Sequence, residues 1–253
     1  HVADPDGLKR YNSAAFVRPD LGYVGRFDKM HRVVFGEYVP LRSVLPFLQS
    51  LTPYNSAGID AGTSPKIFDS GGYRYAPLIC FEDTIPRLVR QIVNFEPQDA
   101  EKPDVLVNLT NDSWFHGSSE LDQHLITAAF RCVETRRPMV RAVNGGISAV
   151  IDGDGAILEP EKLIDRDAAE RAEMGLLPRT SMRDETTGEF HRQFNGVLIR
   201  TVPLDPRTSL YVRWGDWFGN LCLLACGLIV VAGTVLRLRG RSKAKTPAHP
   251  ALA

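Results

Sequence analysis

Tyr75-Ala76-Pro77-Leu78-Ile79-Cys80-Phe81-Glu82-Asp83-Thr84-Ile85-Pro86 is the stretch whose reading decides the fold of this chain. An apolar run ends at a cysteine, and a proline follows six residues later. The run reads as a buried strand. Pro86 suits the first position of a helix, with Asp83 or Thr84 as the N-cap. The junction therefore predicts strand, turn and helix, with Cys80 between them. There the positive end of the helix dipole favours a thiolate, the reactive form of cysteine. The alternative for a lone cysteine is a half-buried core thiol, and the surrounding sequence weighs against it.

Downstream, Pro86 to Phe95 places Leu88, Val89, Ile92, Val93 and Phe95 at helical spacing. Asp104 to Leu109 reads as a short strand and leads into Thr110-Asn111-Asp112-Ser113-Trp114-Phe115. Leu121 to Arg137 reads as a helix with Leu125, Ala129, Cys132 and Val133 inward, stopped by Pro138. Met139 to Val143 and Ile147 to Ile151 read as strands around Asn144-Gly145-Gly146, and Asp152-Gly153-Asp154-Gly155 turns the chain into Ala156-Ile157-Leu158. Upstream, Asn12 to Val17 and Tyr23 to Phe27 form a predicted hairpin, and Val197 to Val202 is a final strand. Strands alternating with helices indicate an α/β layered domain over residues 1–210. Residues 159–193 are charged and poor in apolar side chains, and are expected to be an insertion, partly helical around Asp165 to Met174.

The chain is neutral overall, with 30 basic and 30 acidic residues. Five of the basic ones, Arg237, Arg239, Arg241, Lys243 and Lys245, sit in residues 237–253, where no acidic residue occurs. The remainder is mildly acidic, which argues against nucleic-acid binding. The cysteines Cys80, Cys132, Cys222 and Cys226 match no zinc spacing and no disulfide framework. His31, His116 and His124 lack any metal-site spacing, so neither a metal nor a cofactor is expected.

Trp217 to Leu236 carries no charged residue. Twenty helical residues span about 30 Å, the thickness of a bilayer's hydrocarbon core. Tyr211, Trp214 and Trp217 stand at one end as interfacial anchors, and the basic run stands at the other. Residues 217–236 are thus a predicted transmembrane helix and 237–253 a cytoplasmic tail, with the body on the opposite side. A buried core helix is the alternative. The sequence starts at His1 and shows no export signal before the body, so it is expected to be the C-terminal part of a longer protein.

Three segments together resemble one family. Phe27-Asp28-Lys29-Met30-His31 with Phe35-Gly36-Glu37-Tyr38-Val39-Pro40 resembles the lysine motif of apolipoprotein N-acyltransferases, membrane members of the nitrilase (carbon–nitrogen hydrolase) superfamily. Ile79-Cys80-Phe81-Glu82 resembles their nucleophile motif. Asn111 to Phe115, Gln123-His124, Arg137-Pro138, Arg141-Ala142 and Asn144 to Ser148 resemble the segment that follows it, and Tyr211 to Trp217 is also family-like.

The resemblance implies an αββα sandwich, truncated at its N-terminus, followed by one C-terminal transmembrane helix. It implies that Cys80 is the nucleophile, Lys29 the oxyanion-stabilising cation and Glu37 the supporting carboxylate. Phe81 and Glu82 flank the nucleophile, where the family usually has Tyr at the first position, and Asn111 and Trp114 line the pocket. Residues 1–28 contain no glutamate, so the family's general base is expected outside this chain. The implied reaction moves an acyl chain from a phospholipid to the N-terminal amine of a diacylglyceryl-cysteine apolipoprotein through a thioester. The implied location is the bacterial inner membrane, catalytic domain on the periplasmic side. A membrane-tethered nitrilase-type amidase and an inactive remnant are the alternatives. Leu41 to Leu51 is expected to be a short helix or a loop presenting apolar groups to lipid.

Overall fold

A computed structural model of the chain describes residues 2–4, 7–41, 44–45, 47–48, 58–95 and 102–243. It divides into two units, residues 1–212 and 213–253.

The first unit is built on the predicted junction. Strand β6 (Tyr73–Ile79) runs into a 3-10 turn (Cys80–Thr84), then helix α1 (Pro86–Val93), strand β7 (Val105–Asn111), helix α2 (Glu120–Thr135) and strand β8 (Met139–Asn144). β6, β7 and β8 pair in parallel, with Leu78 opposite Asn108 and Asn108 opposite Arg141. Parallel neighbours need crossover connections, which α1 and α2 supply; right-handed crossovers put both helices on one face of the sheet. Antiparallel edges complete the sheet: β5 (Phe68–Ser70) beside β6, and β9 (Ala149–Ile151) and β10 (Ile157–Leu158) beside β8. β5 pairs only with Tyr73 to Tyr75, so the later part of β6, where Pro77 has no N–H to donate, faces a single partner strand.

The core lies between the sheet and the two helices. Ala76, Leu78, Leu106 and Met139 from the strands meet Leu88, Val89, Ile92 and Val93 of α1 and Leu121, Leu125, Ala128 and Cys132 of α2. Each large aliphatic side chain so buried contributes about 1.5–3 kcal/mol. α2 is rotated slightly from its expected register: Ala128 is buried, while Val133 is 37% exposed. A Cβ on Gly155 would come within 2.6 Å of Val133, so the turn after β9 packs on this outer side of α2.

On the other face of the sheet sits the hairpin of β3 (Ser13–Arg18) and β4 (Gly22–Asp28), with Phe16 stacked on Phe68 at 4.7 Å. An apolar cleft of about 260 Å³ lies there between Phe16, Phe68, Tyr75, Pro77, Val107 and Leu109. Three strands had no sequence signal: β1 (Val2–Asp4) and β2 (Gly7–Lys9), which form a short hairpin, and β11 (Lys162–Asp165), which pairs with β12 (Gly196–Ile199), the strand expected from Val197 onward. Between the last two, α3 (Ala168–Glu173) is the expected helix of the charged stretch, whose Met182 nonetheless enters the main core. Ile147 lies outside β9 yet is buried.

α4 (Leu210–Trp214) closes the first unit, its Val212 in the core, with Arg90 donating to the carbonyls of Tyr211 and Val212. The second unit is α5 (Trp217–Lys243). Its residues Trp217–Arg239 are long and apolar enough to cross a membrane. Leu223, Leu228, Ile229 and Val230 lie on it. Trp214, Trp217 and Phe218 pack edge-to-face at its start. Of the Leu41 to Leu51 stretch, residues 42, 43, 46 and 49–51 lie outside the described residues; Leu41, Val44 and Phe47 are exposed.

Leu125 has no exposed surface between α2 and the sheet. Leu125→Ala should therefore cost about 2–5 kcal/mol in chemical denaturation. Val133→Ala, on the outer side of the same helix, should cost far less. Equal losses would disprove the helix orientation described.

Candidate functional site

Cys80 opens the 3-10 turn and is held at a φ of 55°, in the left-handed region that residues with a Cβ avoid. Such strain persists only where neighbours over-determine the backbone. Four contacts do so here. Asn108, fully buried on β7, donates from Nδ2 to the Cys80 carbonyl at 3.2 Å. Thr84 Oγ1 donates to the Phe81 carbonyl at 2.7 Å, and Arg131 of α2 donates to the Thr84 carbonyl. Glu82 Oε2 accepts the Ile79 N–H at 2.8 Å. The expected N-cap is displaced: Asp83 and Thr84 belong to this turn, and Ile85 caps α1 without a side-chain bond. Cys80 therefore opens a short turn of its own rather than the first turn of α1, and the helix-dipole reading of the sequence gives way to one of a strained, pinned elbow.

Lys29 follows β4, its N–H bonded to the Asn12 carbonyl at 2.8 Å. Its side chain is 1% exposed, and its Nζ lies 2.9 and 2.8 Å from the two oxygens of Glu37. The loop between them is tight. Phe35 adopts a φ of 61°, and Phe35 and Tyr38 are joined by a backbone bond of 2.8 Å. This turns the Glu37 carboxylate back to accept the Val33 N–H at 2.8 Å and the Asn12 amide at 3.4 Å. A second segment closes over the pair: Ile59 N–H bonds to the Glu37 carbonyl and Gly62 N–H to the Lys29 carbonyl. Gly62 approaches so closely that a Cβ would stand 2.0 Å from the Asp28 carbonyl oxygen.

Glu82 joins the two loops. It has no exposed surface, and besides Ile79 it accepts the N–H groups of Met30 at 2.7 Å and His31 at 3.0 Å. Burial pushes its carboxyl above the ordinary glutamate range, although the three N–H groups and Lys29 pull the other way. Phe81, beside it, is 40% exposed.

The third loop follows β7. Asn111 Oδ1 accepts from Asn144 Nδ2 at 3.0 Å and from the Ser113 N–H at 3.3 Å, while Trp114 is 63% exposed. Gly145, at a φ of 66°, lets the loops touch; a Cβ would fall 2.1 Å from Ser113 Oγ. Phe35, Phe81 and Trp114, one from each loop, are all exposed around buried polar groups.

Four buried charged side chains lie behind these loops. His124 on α2 places Nε2 2.7 Å from Asp83 Oδ1 and Nδ1 2.9 Å from Asp112 Oδ2. Arg141 of β8 pairs with Asp83 through Nη1 and with Asp112 at 3.6 Å. Thr110 donates to Asp112 at 2.7 Å. Burial alone pushes the Asp112 carboxyl up, and His124, Thr110 and Arg141 more than reverse it, leaving it below the ordinary range. Burial likewise opposes a charged His124, yet Asp112 and Asp83 push its pKa from 6.5 up to about 9. Asn12, Asn108 and Asp83 carried no signal as site residues in the sequence. Asp112, His124 and Arg141 fall in the segments that carry the family resemblance, but none of them was singled out as a site residue.

Two outcomes follow from this geometry. Glu82→Gln keeps the shape but offers one accepting oxygen in place of two, so an N–H is stranded against an amide. A loss of about 1–3 kcal/mol is expected in denaturation; a neutral result would remove Glu82 as the link. His124 titrates higher in the folded state, so its contribution is complete below about pH 6.5 and is lost as pH rises through about 9. The melting temperature should fall across that window in the native protein and lose that slope in His124→Phe. An unchanged slope in the variant would contradict the assignment.

Known proteins give this geometry a context. The sequence profile of the Carbon-nitrogen hydrolase family matches residues 1–165. An apolipoprotein N-acyltransferase of Geobacter metallireducens is 35% identical over 237 residues, 92% of this chain and 38% of the relative. That of Rhodopirellula baltica is 32% identical over 227 residues, 88% of this chain and 34% of the relative. The chain thus spans little more than a third of the length of these curated relatives. Among solved structures, a CN-hydrolase superfamily protein from Xanthomonas campestris is 19% identical, with a TM-score of 0.44 over 58% of this chain and 51% of that one. With two thirds of its length matched by the profile and its α/β layers as described, the chain belongs to the carbon–nitrogen hydrolase family.

Proposed function

We propose that this chain carries the nucleophile Cys80, the oxyanion-stabilising Lys29 and the supporting Glu37 of a lipoprotein N-acyltransferase, whose general base is expected outside it. The observation that carries the reading is the combination at one place of a strained cysteine, a buried ammonium–carboxylate pair and a carboxylate linking their loops, rimmed by exposed aromatic side chains. The buried polar groups suit acyl transfer, and the apolar rim suits a lipid substrate. The curated relatives, apolipoprotein N-acyltransferases, support the same class of reaction.

In the first step the Cys80 thiolate attacks an ester carbonyl of a phospholipid. A C–S bond forms, the carbonyl electrons move onto oxygen, and the Lys29 ammonium stabilises that oxyanion. When the tetrahedral species collapses, the C–O bond breaks and a lysophospholipid leaves as its alcohol, taking up the proton that the thiol gave to the general base expected outside this chain. Glu37 holds Lys29 in place and keeps its charge paired between turnovers. In the second step the N-terminal amine of a diacylglyceryl-cysteine apolipoprotein attacks the thioester. A C–N bond forms, the C–S bond breaks, the amine's proton passes to the same base and the thiolate is regenerated. Asn111, Trp114, Phe81 and Phe35 form the wall past which the acyl chain enters.

α5 fits this reading as a bilayer anchor, because both substrates are lipids. On this reading the basic C-terminal flank faces the cytoplasm of a bacterial inner membrane and the catalytic unit works on the periplasmic side, in line with the positive-inside rule.

The test is intact mass spectrometry of the gene product in phospholipid–detergent micelles, beside Cys80→Ala. The expected result is an added acyl mass that hydroxylamine removes and that the variant never acquires. Turnover of a small soluble amide without any adduct from phospholipid would favour an amidase instead. Neither adduct nor turnover from a folded protein would leave the inactive remnant.

A further inference from the structure

The Asp83–His124–Asp112–Arg141 cluster is more than a buried ion pair in a core, because of which loops it joins. Asp83 belongs to the turn that begins with Cys80. Asp112 directly follows β7 and precedes the short 3-10 turn Ser113–Phe115, so it belongs to the loop of Asn111 and Trp114. His124 stands between the two carboxylates, one on each ring nitrogen, at 2.7 and 2.9 Å. All four side chains are buried.

The chemistry of the ring fixes its state. Ionised carboxylates only accept hydrogen bonds, and a neutral imidazole has a single N–H. With Arg141 paired to both carboxylates, both remain acceptors, and each ring nitrogen needs a proton. The imidazolium is therefore the form that satisfies both contacts at once. Two negative and two positive charges then balance within the cluster, which a low-dielectric interior requires. A neutral ring would leave one nitrogen lone pair facing a carboxylate, and one of the two loops would come free of the clamp.

The clamp acts on the backbone that carries the thiol. The turn at Cys80 is strained and is pinned from beneath by Asn108 and from one side by Glu82. Asp83 supplies the remaining side, toward α2 and β8. Opposite it, Asp112 accepts from Thr110, and its N–H bonds to the Asn144 carbonyl at 2.8 Å, so the same residue orders the loop of the pocket wall.

We propose that His124, in its doubly protonated form, is a positioning residue that fixes the Cys80 turn and the Asn111–Trp114 loop at a set separation, so that the thiol meets an acyl carbonyl held against that wall. His124 touches no substrate and transfers no proton; it acts through Asp83 and Asp112. This role rests on the acyl-transfer reading only for its consequence. The fixed separation itself is a property of the thiol's surroundings and can be read without any lipid.

The experiment uses the gene product in phospholipid–detergent micelles, as native protein and as His124→Gln, at pH 7. Two rates are measured per titrated thiol: alkylation of Cys80 by iodoacetamide, and acylation of Cys80 by phospholipid with its dependence on lipid concentration. Glutamine can serve only one carboxylate as a donor. The expected result is an acylation kcat at least tenfold lower with a KM within about twofold, together with an alkylation rate altered severalfold. A purely structural role would lower the melting temperature and the fraction of titratable sites while leaving both rates per site intact, and that outcome would overturn the proposal. Should His124→Gln not fold, Asp112→Asn reads the same split, since asparagine still accepts from Nδ1 but frees one charge. Its acylation kcat is expected to fall severalfold at constant KM, and unchanged rates per site would again overturn the proposal. Native protein that is alkylated but never acylated would refute the acyl-transfer reading alone, and the alkylation comparison would still decide the role of His124.

Discussion

One buried carboxylate determines whether the candidate site exists as a unit. Glu82 gathers three backbone N–H groups, two from the loop after Lys29 and one from the end of β6. Those segments are some fifty residues apart in sequence. Among the described residues no ladder of the main sheet joins them, because β3 and β4 pair with each other in a separate two-stranded sheet. Charged acceptors make the stronger hydrogen bonds, and in a dry interior each stranded N–H is costly. The hairpin that brings Lys29 is tied to the sheet that brings Cys80 by the hydrogen bonds to Glu82, by Met30 packing against the core and by the stacking of Phe16 on Phe68.

The sheet explains why the other groups lie where they do. Cys80, Asn111 and Asn144 each stand at or just past the C-terminal end of a parallel strand. Loops at that end of an open α/β sheet are free of the crossover helices, and ligands bind there. The helices beneath face the opposite need. α2 devotes one side to the hydrophobic core and places His124 and Arg131 at its upper rim, where they meet the turn of the nucleophile.

The core elements were legible in the sequence because each carries a strong local signal. The apolar run before Cys80 became β6, Pro86 did open a helix, and Pro138 did mark the end of α2. The details of the site were less legible. The left-handed backbone at Cys80 left no trace, since no glycine marks it. Asp83 and Thr84 looked like helix caps because their spacing from Pro86 was right; tertiary contacts to His124, Arg141 and Arg131 claimed them instead. The charged cluster was not legible as a unit because its four members come from four elements far apart in sequence, even though Asp112, His124 and Arg141 fall in the segments that carried the family resemblance. Val133 shows the limit of helical periodicity, which fixes a face only to within the width of one side chain. β11 escaped notice because it is four residues long and lies in a charged stretch, whereas its partner β12 matches the start of the strand expected from Val197.

The order in which the chain is made gives the buried cluster a further meaning. Synthesis proceeds from the N-terminus at about 5–20 residues per second, and folding units form as their segments emerge. Lys29, Glu37 and Cys80 all precede Asp112, His124 and Arg141. A nascent chain that ends just before β8 already holds Glu82, Asn108 and Arg131, which pin the Cys80 turn, but it lacks the guanidinium that balances the two carboxylates flanking His124. Only when Arg141 is added does the cluster balance its charges, which ties the final setting of the thiol's turn to completion of the sheet.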